Sequence, residues 1–367
     1  MRSIRYLPLL LVLGACEQTQ RDVELFPADQ PPALLSEWGV LAARDDQLVL
    51  QKDVIPYELN TPLFSDYALK LRTVWMPDGA AASYRAEQEF DFPVGTIISK
   101  TFHYRKAADW RAANASVVHA SQDDAETGVP PLNLDDQMLL ETRLLVRYAE
   151  GWQAFPYVWN AEQTDATLEI AGDFRQLTLQ KDDASLQVNY VVPDVNQCSG
   201  CHTPDHSAGD LRPLGPRAWQ LNREYSWWQD ADSQLTHWAA TGLLQDMAVP
   251  PETAPDSLQD RARAYLDANC AHCHNPAGAA DTSALNLNID APLDRKFGIC
   301  KTPVAVGRGS GDLTYDIYPG KPVESIMVFR MQHTDPAIAM PELGRGLVHA
   351  EGVALVSEWI ATLAGEC

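Results

Sequence analysis

Two pentapeptides carry the chemistry open to this chain. Cys198-Ser199-Gly200-Cys201-His202 and Cys270-Ala271-His272-Cys273-His274 each hold two thiols three residues apart, with an imidazole directly after the second. At that spacing the two sulfurs can add to the vinyl groups of one haem, and the following histidine is set to bind the iron from the proximal side. This reading expects two covalently bound haem c groups. Cys198, Cys201, Cys270 and Cys273 are the thioether anchors, and His202 and His274 are iron ligands. Zinc knuckles with paired thiols usually sit about 15–20 residues apart, whereas residues 202 to 269 separate Cys201 from Cys270. A thioredoxin-like dithiol calls for a surrounding βαβ pattern, and neither motif has one.

An iron that only transfers electrons needs a second axial ligand. For the second haem the expected ligand is Met340, in Ala339-Met340-Pro341-Glu342-Leu343-Gly344, 66 residues after His274 and ahead of the final helix. Met327 and Met331 read as core residues of the preceding segment. For the first haem the sequence leaves Met247, His237, His103 and no protein ligand all open. His206 is too near His202 to reach the opposite face easily.

The start of the chain reads as an export signal. Arg2 and Arg5 precede the apolar run Leu9–Leu13, which ends in Gly14-Ala15-Cys16. The run is too short to span a bilayer as a mature helix. Leu13-Gly14-Ala15-Cys16 resembles a bacterial lipoprotein processing site, with Cys16 as the lipidated first residue of a membrane-anchored, periplasm-facing protein. Glu17 after that cysteine favours the outer membrane of a Gram-negative cell. Of the seven cysteines, Cys300 and Cys367 then remain, and an oxidising compartment makes a disulfide between them the expected pairing, with two free thiols as the alternative.

Taking Arg2 and Arg5 from the 28 basic residues leaves 26 against 50 acidic ones, a charge of −24. Such a balance disfavours nucleic acid and steers basic partners toward the protein, or serves solubility alone.

The elements that must position the motifs are of two kinds. Thr96–Tyr104, Leu139–Tyr148, Trp152–Asn160, Thr167–Ala171, Gln176–Gln180 and Leu186–Val192 are short runs rich in β-branched and aromatic residues and predict strands. Trp152, Tyr157 and Trp159 read as core, with a ligand platform as the alternative, and the turn-rich Tyr57–Asp66 and Asn160–Thr167 as core or pocket lining. Beyond His202 the pattern turns helical. Ser257 and Asp260 form an N-terminal start signal for a helix that delivers Cys270, and Leu355, Trp359 and Leu363 lie on one face of a helix over His349–Leu363. The expected fold is an α+β multidomain chain. A signal peptide (1–15) and lipidated tether (16–37) precede a β-rich, sandwich-like domain (38–195), then two helical cytochrome c-like haem modules (196–256 and 257–367).

Pro62-Leu63-Phe64-Ser65-Asp66-Tyr67-Ala68, Phe92-Pro93-Val94-Gly95-Thr96, Glu141-Thr142-Arg143-Leu144-Leu145, Tyr157-Val158-Trp159-Asn160, Gln197–His202 and Leu214-Gly215-Pro216 with Gln220-Leu221-Asn222 together resemble a bacterial family of exported dihaem c-type cytochromes. The resemblance covers nearly the whole mature chain. It implies a β-rich N-terminal region, a C-terminal dihaem region, electron transfer between redox partners, and a neighbour built from parallel β-helix repeats. The rival expectations are a haem enzyme of peroxidase or oxidase type with an open first iron, and a ligand-binding β domain coupled to haem redox chemistry.

Overall fold

The computed structural model describes residues 20–111, 113–120, 129–227, 233–248, 256–304 and 307–367. Cys16 and the expected signal peptide lie outside the described residues.

One nine-stranded, curled sheet dominates the chain. Its strands are β1 (Ile55–Tyr57), β2 (Leu69–Trp75), β3 (Ile97–Lys106), β4 (Ser116–Val118), β5 (Gln137–Tyr148), β6 (Gly151–Trp159), β7 (Ala166–Leu168), β8 (Asp173–Lys181) and β9 (Ala184–Val192). β3 is the hub. One of its edges carries β5 along almost its full length, while the other is shared between β2 at its start and β4 at its end. Strands beyond β5 continue as β6 and β7, and strands beyond β4 as β8 and β9. A bulge between Phe102 and His103 adds local twist where β3 changes partners.

β3 is buried on both faces, so its sequence Ile-Ile-Ser-Lys-Thr-Phe-His-Tyr shows no simple alternation of apolar and polar residues. Leu71, Ile97, Leu144 and Val146 join a core with Trp38, Leu48 and Tyr157. On the opposite face, Val74, Ile98 and Leu145 sit in one cross-strand register, Arg72, Lys100 and Arg143 in the next, and Lys70, Phe102 and Glu141 in the third. Trp152, Tyr157 and Trp159 are core: Tyr157 Oη accepts from Trp38 Nε1 (2.7 Å), and Trp159 Nε1 donates to Thr142 Oγ1 (3.0 Å).

The expected fold class is wrong. The chain is mostly β and does not end in two helical cytochrome modules; among the described residues only four helices reach seven residues. These are α1 (Val195–His202), α2 (Gln234–Ala240), α3 (Leu258–Leu266) and α4 (Ala350–Thr362). The sandwich is likewise replaced by one curled sheet. Two physical reasons account for the difference. After the first motif, Ala218, Leu221, Leu235, Trp238 and Leu244 build no core of their own but bury against Val74, Ile98, Leu145 and Trp152 of the sheet. After the second, Pro276, Pro292, Gly298, Gly311, Pro319 and Pro322 recur too often for long helices.

Around the second motif a compact core does form. Ser257 caps α3 by accepting from Asp260 N (3.1 Å). Ala262 and Leu266 of α3 pack with Val356, Trp359 and Ile360 of α4, over Phe297 and Ile317. At Gly352 the two helices pack closely enough that a Cβ would overlap the Tyr265 ring. A disulfide joins Cys300 to Cys367, with Cα atoms 5.3 Å apart.

Candidate functional site

α1 carries the first motif directly off the sheet. β9 ends at Val192, and Asp194 caps the helix, its carboxylate accepting from the backbone N–H of Asn196 and Gln197 (both 2.8 Å) while Gln197 Oε1 accepts from Asp194 N (3.1 Å). The second motif leaves α3 through a π-turn at Asp267–Ala271. The turn is held from outside: Arg217 donates to both carboxylate oxygens of Asp267 (3.0 and 3.1 Å), and Asn269 Oδ1 accepts from Phe64 N (2.8 Å).

Residues 58–68, between β1 and β2, tie both motif-bearing segments to the sheet. Thr61 N donates to Gln220 Oε1 (2.8 Å), and Asn60 Nδ2 to the Trp219 carbonyl (2.6 Å), beyond the first motif. The Asp66 carboxylate accepts from Gly346 N and Leu347 N (2.8 Å each), beyond the second. Tyr67 Oη donates to Glu351 (2.8 Å), Lys181 Nζ reaches the same carboxylate (2.6 Å), and the Phe64 ring stacks on His349 at 4.2 Å. The sequence reading left this stretch as turn-rich packing or pocket lining; its turn formers and its mix of aromatic and polar residues were the available signal.

Between sheet and motifs lies a cavity of about 470 Å³. Its walls include Tyr57 of β1, Phe64 and Asp66 from the clasp that residues 58–68 form, Arg72, Lys100 and Arg143 from the sheet, Cys198, Cys201 and His202 from the first motif, Cys270 and His272 from the second, and Met331, Met340 and His349 from the last part of the chain. Of the segments read as candidate pocket lining, Tyr57–Asp66 reaches the cavity and Asn160–Thr167 does not. The two motifs meet here. Cys273 Sγ lies 3.5 Å from the Gly200 carbonyl. Cys273, with His272 beside it, pulls Cys201 toward the thiolate, and Cys201 in turn drives the Cys273 pKa up. Burial pushes Cys270 up to about 12 and raises Cys198.

Both expected proximal histidines have a defined tautomer. His202 Nδ1 faces the Arg212 carbonyl at 2.8 Å; a carbonyl only accepts, so Nδ1 carries the proton and Nε2 keeps its lone pair. His274 Nδ1 lies 3.0 Å from Ser283 Oγ, whose own proton goes to the Ala280 carbonyl (2.7 Å). Nδ1 is the donor again. Burial pushes both imidazoles down to about 4, which favours the neutral ring. This is the arrangement that orients a metal-binding imidazole, and with two thiols in the four residues before each imidazole the residues fit a thioether-linked haem; His202 lines the cavity, whereas His274 and Cys273 do not. Among the described residues no three His, Cys, Asp or Glu side chains converge as a metal-binding group.

The distal candidates separate cleanly. Met340 lines the cavity, its carbonyl held by Arg345 (2.7 Å). Met331, read from sequence as core, packs against Val328 and Trp359 and also reaches the cavity wall. The three candidates for the first iron lie elsewhere. Met247 packs beside Trp238 and Leu244. His103 is buried in β3 with Nδ1 on Gln137 Oε1 (2.8 Å), and His237 sits on α2 away from the cavity wall.

No family model, curated protein or solved structure matches this chain. Among the described residues no helix is long and apolar enough to cross a membrane.

Proposed function

We propose that this chain is an exported dihaem c-type cytochrome, anchored through Cys16, that relays electrons between redox partner proteins. The observation that carries the reading is the meeting of the two C-x-x-C-H segments beside one cavity although residues 202 to 269 separate them: Cys273 Sγ lies 3.5 Å from the Gly200 carbonyl, and both following histidines carry their proton on Nδ1 and leave Nε2 with its lone pair. Haem, when bound, supplies reversible one-electron chemistry. The chain's residues anchor it through four sulfurs, orient each proximal imidazole through Nδ1, and surround the site with Phe64, Leu145, Leu214 and Val353. Met340 offers a thioether to the second iron. The acidic surface favours a basic partner, and a parallel β-helix repeat protein is the partner that the family resemblance suggests.

The test is a haem stain of the denatured protein with an intact mass. Two covalent haems in the wild type, and one in a Cys198→Ala/Cys201→Ala or Cys270→Ala/Cys273→Ala variant, support the reading. A wild-type chain with fewer than two overturns it.

One observation favours a second reading. Met247, His237 and His103 all lie off the cavity wall, which favours an open first iron and peroxidase- or oxidase-type chemistry. A high-spin ferric band or carbon monoxide binding in the ferrous protein selects that reading over simple relay.

A further inference from the structure

The cavity floor holds a row of like charges that the sheet has no reason to assemble for its own stability. Arg72 of β2 stands opposite Lys100 of β3, and Lys100 stands opposite Arg143 of β5. All three line the cavity. Like charges directly opposite one another on a sheet are destabilising, and burial adds a desolvation cost. Here the apolar register of Val74, Ile98 and Leu145 flanks the row on one side, and the register of Lys70, Phe102 and Glu141 on the other.

Two of the three cations are compensated at the ends of the row. Glu58 pairs with Arg72 at 3.3 Å, and the fully buried Glu141 takes Nε and Nη2 of Arg143 at 2.8 and 2.6 Å. Arg143 keeps Nη1 free of that bidentate pair. Lys100, in the middle, has no carboxylate within ion-pair distance among the described residues; its ammonium lies 4.9 Å from the Phe102 ring centroid. Burial, with Arg72 and Arg143 alongside, pushes the Lys100 pKa down to about 7. Both Lys100 and Arg143 act electrostatically on His202, so the unmatched positive charge sits beside the first motif.

We propose that the Arg72–Lys100–Arg143 row is a carboxylate-binding site, in which an anion seated against Lys100 and the free edge of Arg143 supplies the missing negative charge. Two sources have this chemistry: a propionate of the first haem, which rests on the function proposed above, and a free small carboxylate, which does not. Charge-assisted hydrogen bonds from ammonium and guanidinium suit either.

The experiment uses the full-length holoprotein, Lys100→Gln, and Lys100→Arg as the conservative control, with covalent haem counted by mass in each preparation. Thermal unfolding, potentiometric titration and succinate addition are the readouts. A propionate at the row predicts that Lys100→Gln lowers the midpoint potential of one haem, because a lost cation favours the ferric charge state, and lowers Tm. Lys100→Arg restores both. A free carboxylate predicts unchanged potentials, and a rise in Tm with succinate in the wild type and Lys100→Arg that Lys100→Gln loses. If Lys100→Gln raises Tm, leaves both potentials unchanged and abolishes no succinate response, the row is repulsion without a ligand and the proposal fails. A low haem count defeats the dihaem reading alone, since the succinate comparison still tests the row.

Discussion

The backbone N–H of Phe64 donates to Asn269 Oδ1 at 2.8 Å, across 205 residues of sequence. Asn269 immediately precedes the first thiol of the second motif, and its own Nδ2 donates to the Tyr265 carbonyl at 2.9 Å. One buried amide therefore registers the π-turn against the loop between β1 and β2. Asn269→Leu leaves the Phe64 N–H buried without an acceptor, a loss of about 1–3 kcal/mol. Chemical denaturation should show that loss, and Asn269→Asp, which keeps an acceptor, should recover part of it. Equal stability for Asn269→Leu and wild type would show that the contact does not hold the turn.

Met340 is expected to ligate the second iron through its thioether. Met340→His should keep that haem six-coordinate and low-spin while lowering its potential, because imidazole favours ferric iron more than sulfur does. Met340→Ala should open the site. The readout is the weak sulfur-to-iron charge-transfer band of the ferric protein, with a redox titration that resolves two haems. Persistence of the band in Met340→Ala passes the assignment to Met331, the other methionine on the cavity wall.

The Cys300–Cys367 disulfide closes a loop with a sequence separation of 67 and pins the chain end near Tyr315, whose Oη donates to the Cys367 carbonyl at 3.3 Å. Cys300→Ser with Cys367→Ser should cost about 2–5 kcal/mol, measured by denaturation with and without reductant. The double variant should be insensitive to reductant where the wild type is not.

Acid should loosen the junction between the sheet and α4. Burial works against ionisation of Glu351, but Lys181 and Tyr67 outweigh it and take the carboxyl down to about 2 from 4.5. A carboxyl held below its unfolded value stabilises the fold above pH 4.5, and that contribution disappears as pH falls from there toward 2. Glu351 is half exposed, at 52% of its side chain, so solvent screening keeps the effect modest. Thermal unfolding between pH 5 and pH 2 should fall less steeply in Glu351→Gln than in the wild type.

The strands were legible because β-branched and aromatic runs are local signals: six expected runs fall on β3 and on β5 through β9. Ser257 and Asp260 likewise marked the start of α3, and the two motifs marked where the chain would converge. What stayed hidden was non-local. Trp238 and Leu235 have the spacing of a helix that packs on helices, yet they bury against Val74 and Ile98 of the sheet, so the segment after the first motif reads like a module and folds as a sheet cover. Arg72, Lys100 and Arg143 come from three distant strands, and only register puts them side by side. Their one local trace is a basic residue in the interior of each strand.

The reach of residues 58–68 also constrains how the molecule comes into being. Asp66 meets its partners 280 and 281 residues later, at Gly346 and Leu347, and Tyr67 finds Glu351 284 residues on. During synthesis this loop is made early and stays without those partners until residues 346 to 351 have emerged. Closing so long a stretch of chain must be met by loop-closure entropy before any contact rewards it. A product cut short before Gly346 therefore lacks the far side of the clasp however well its sheet has formed.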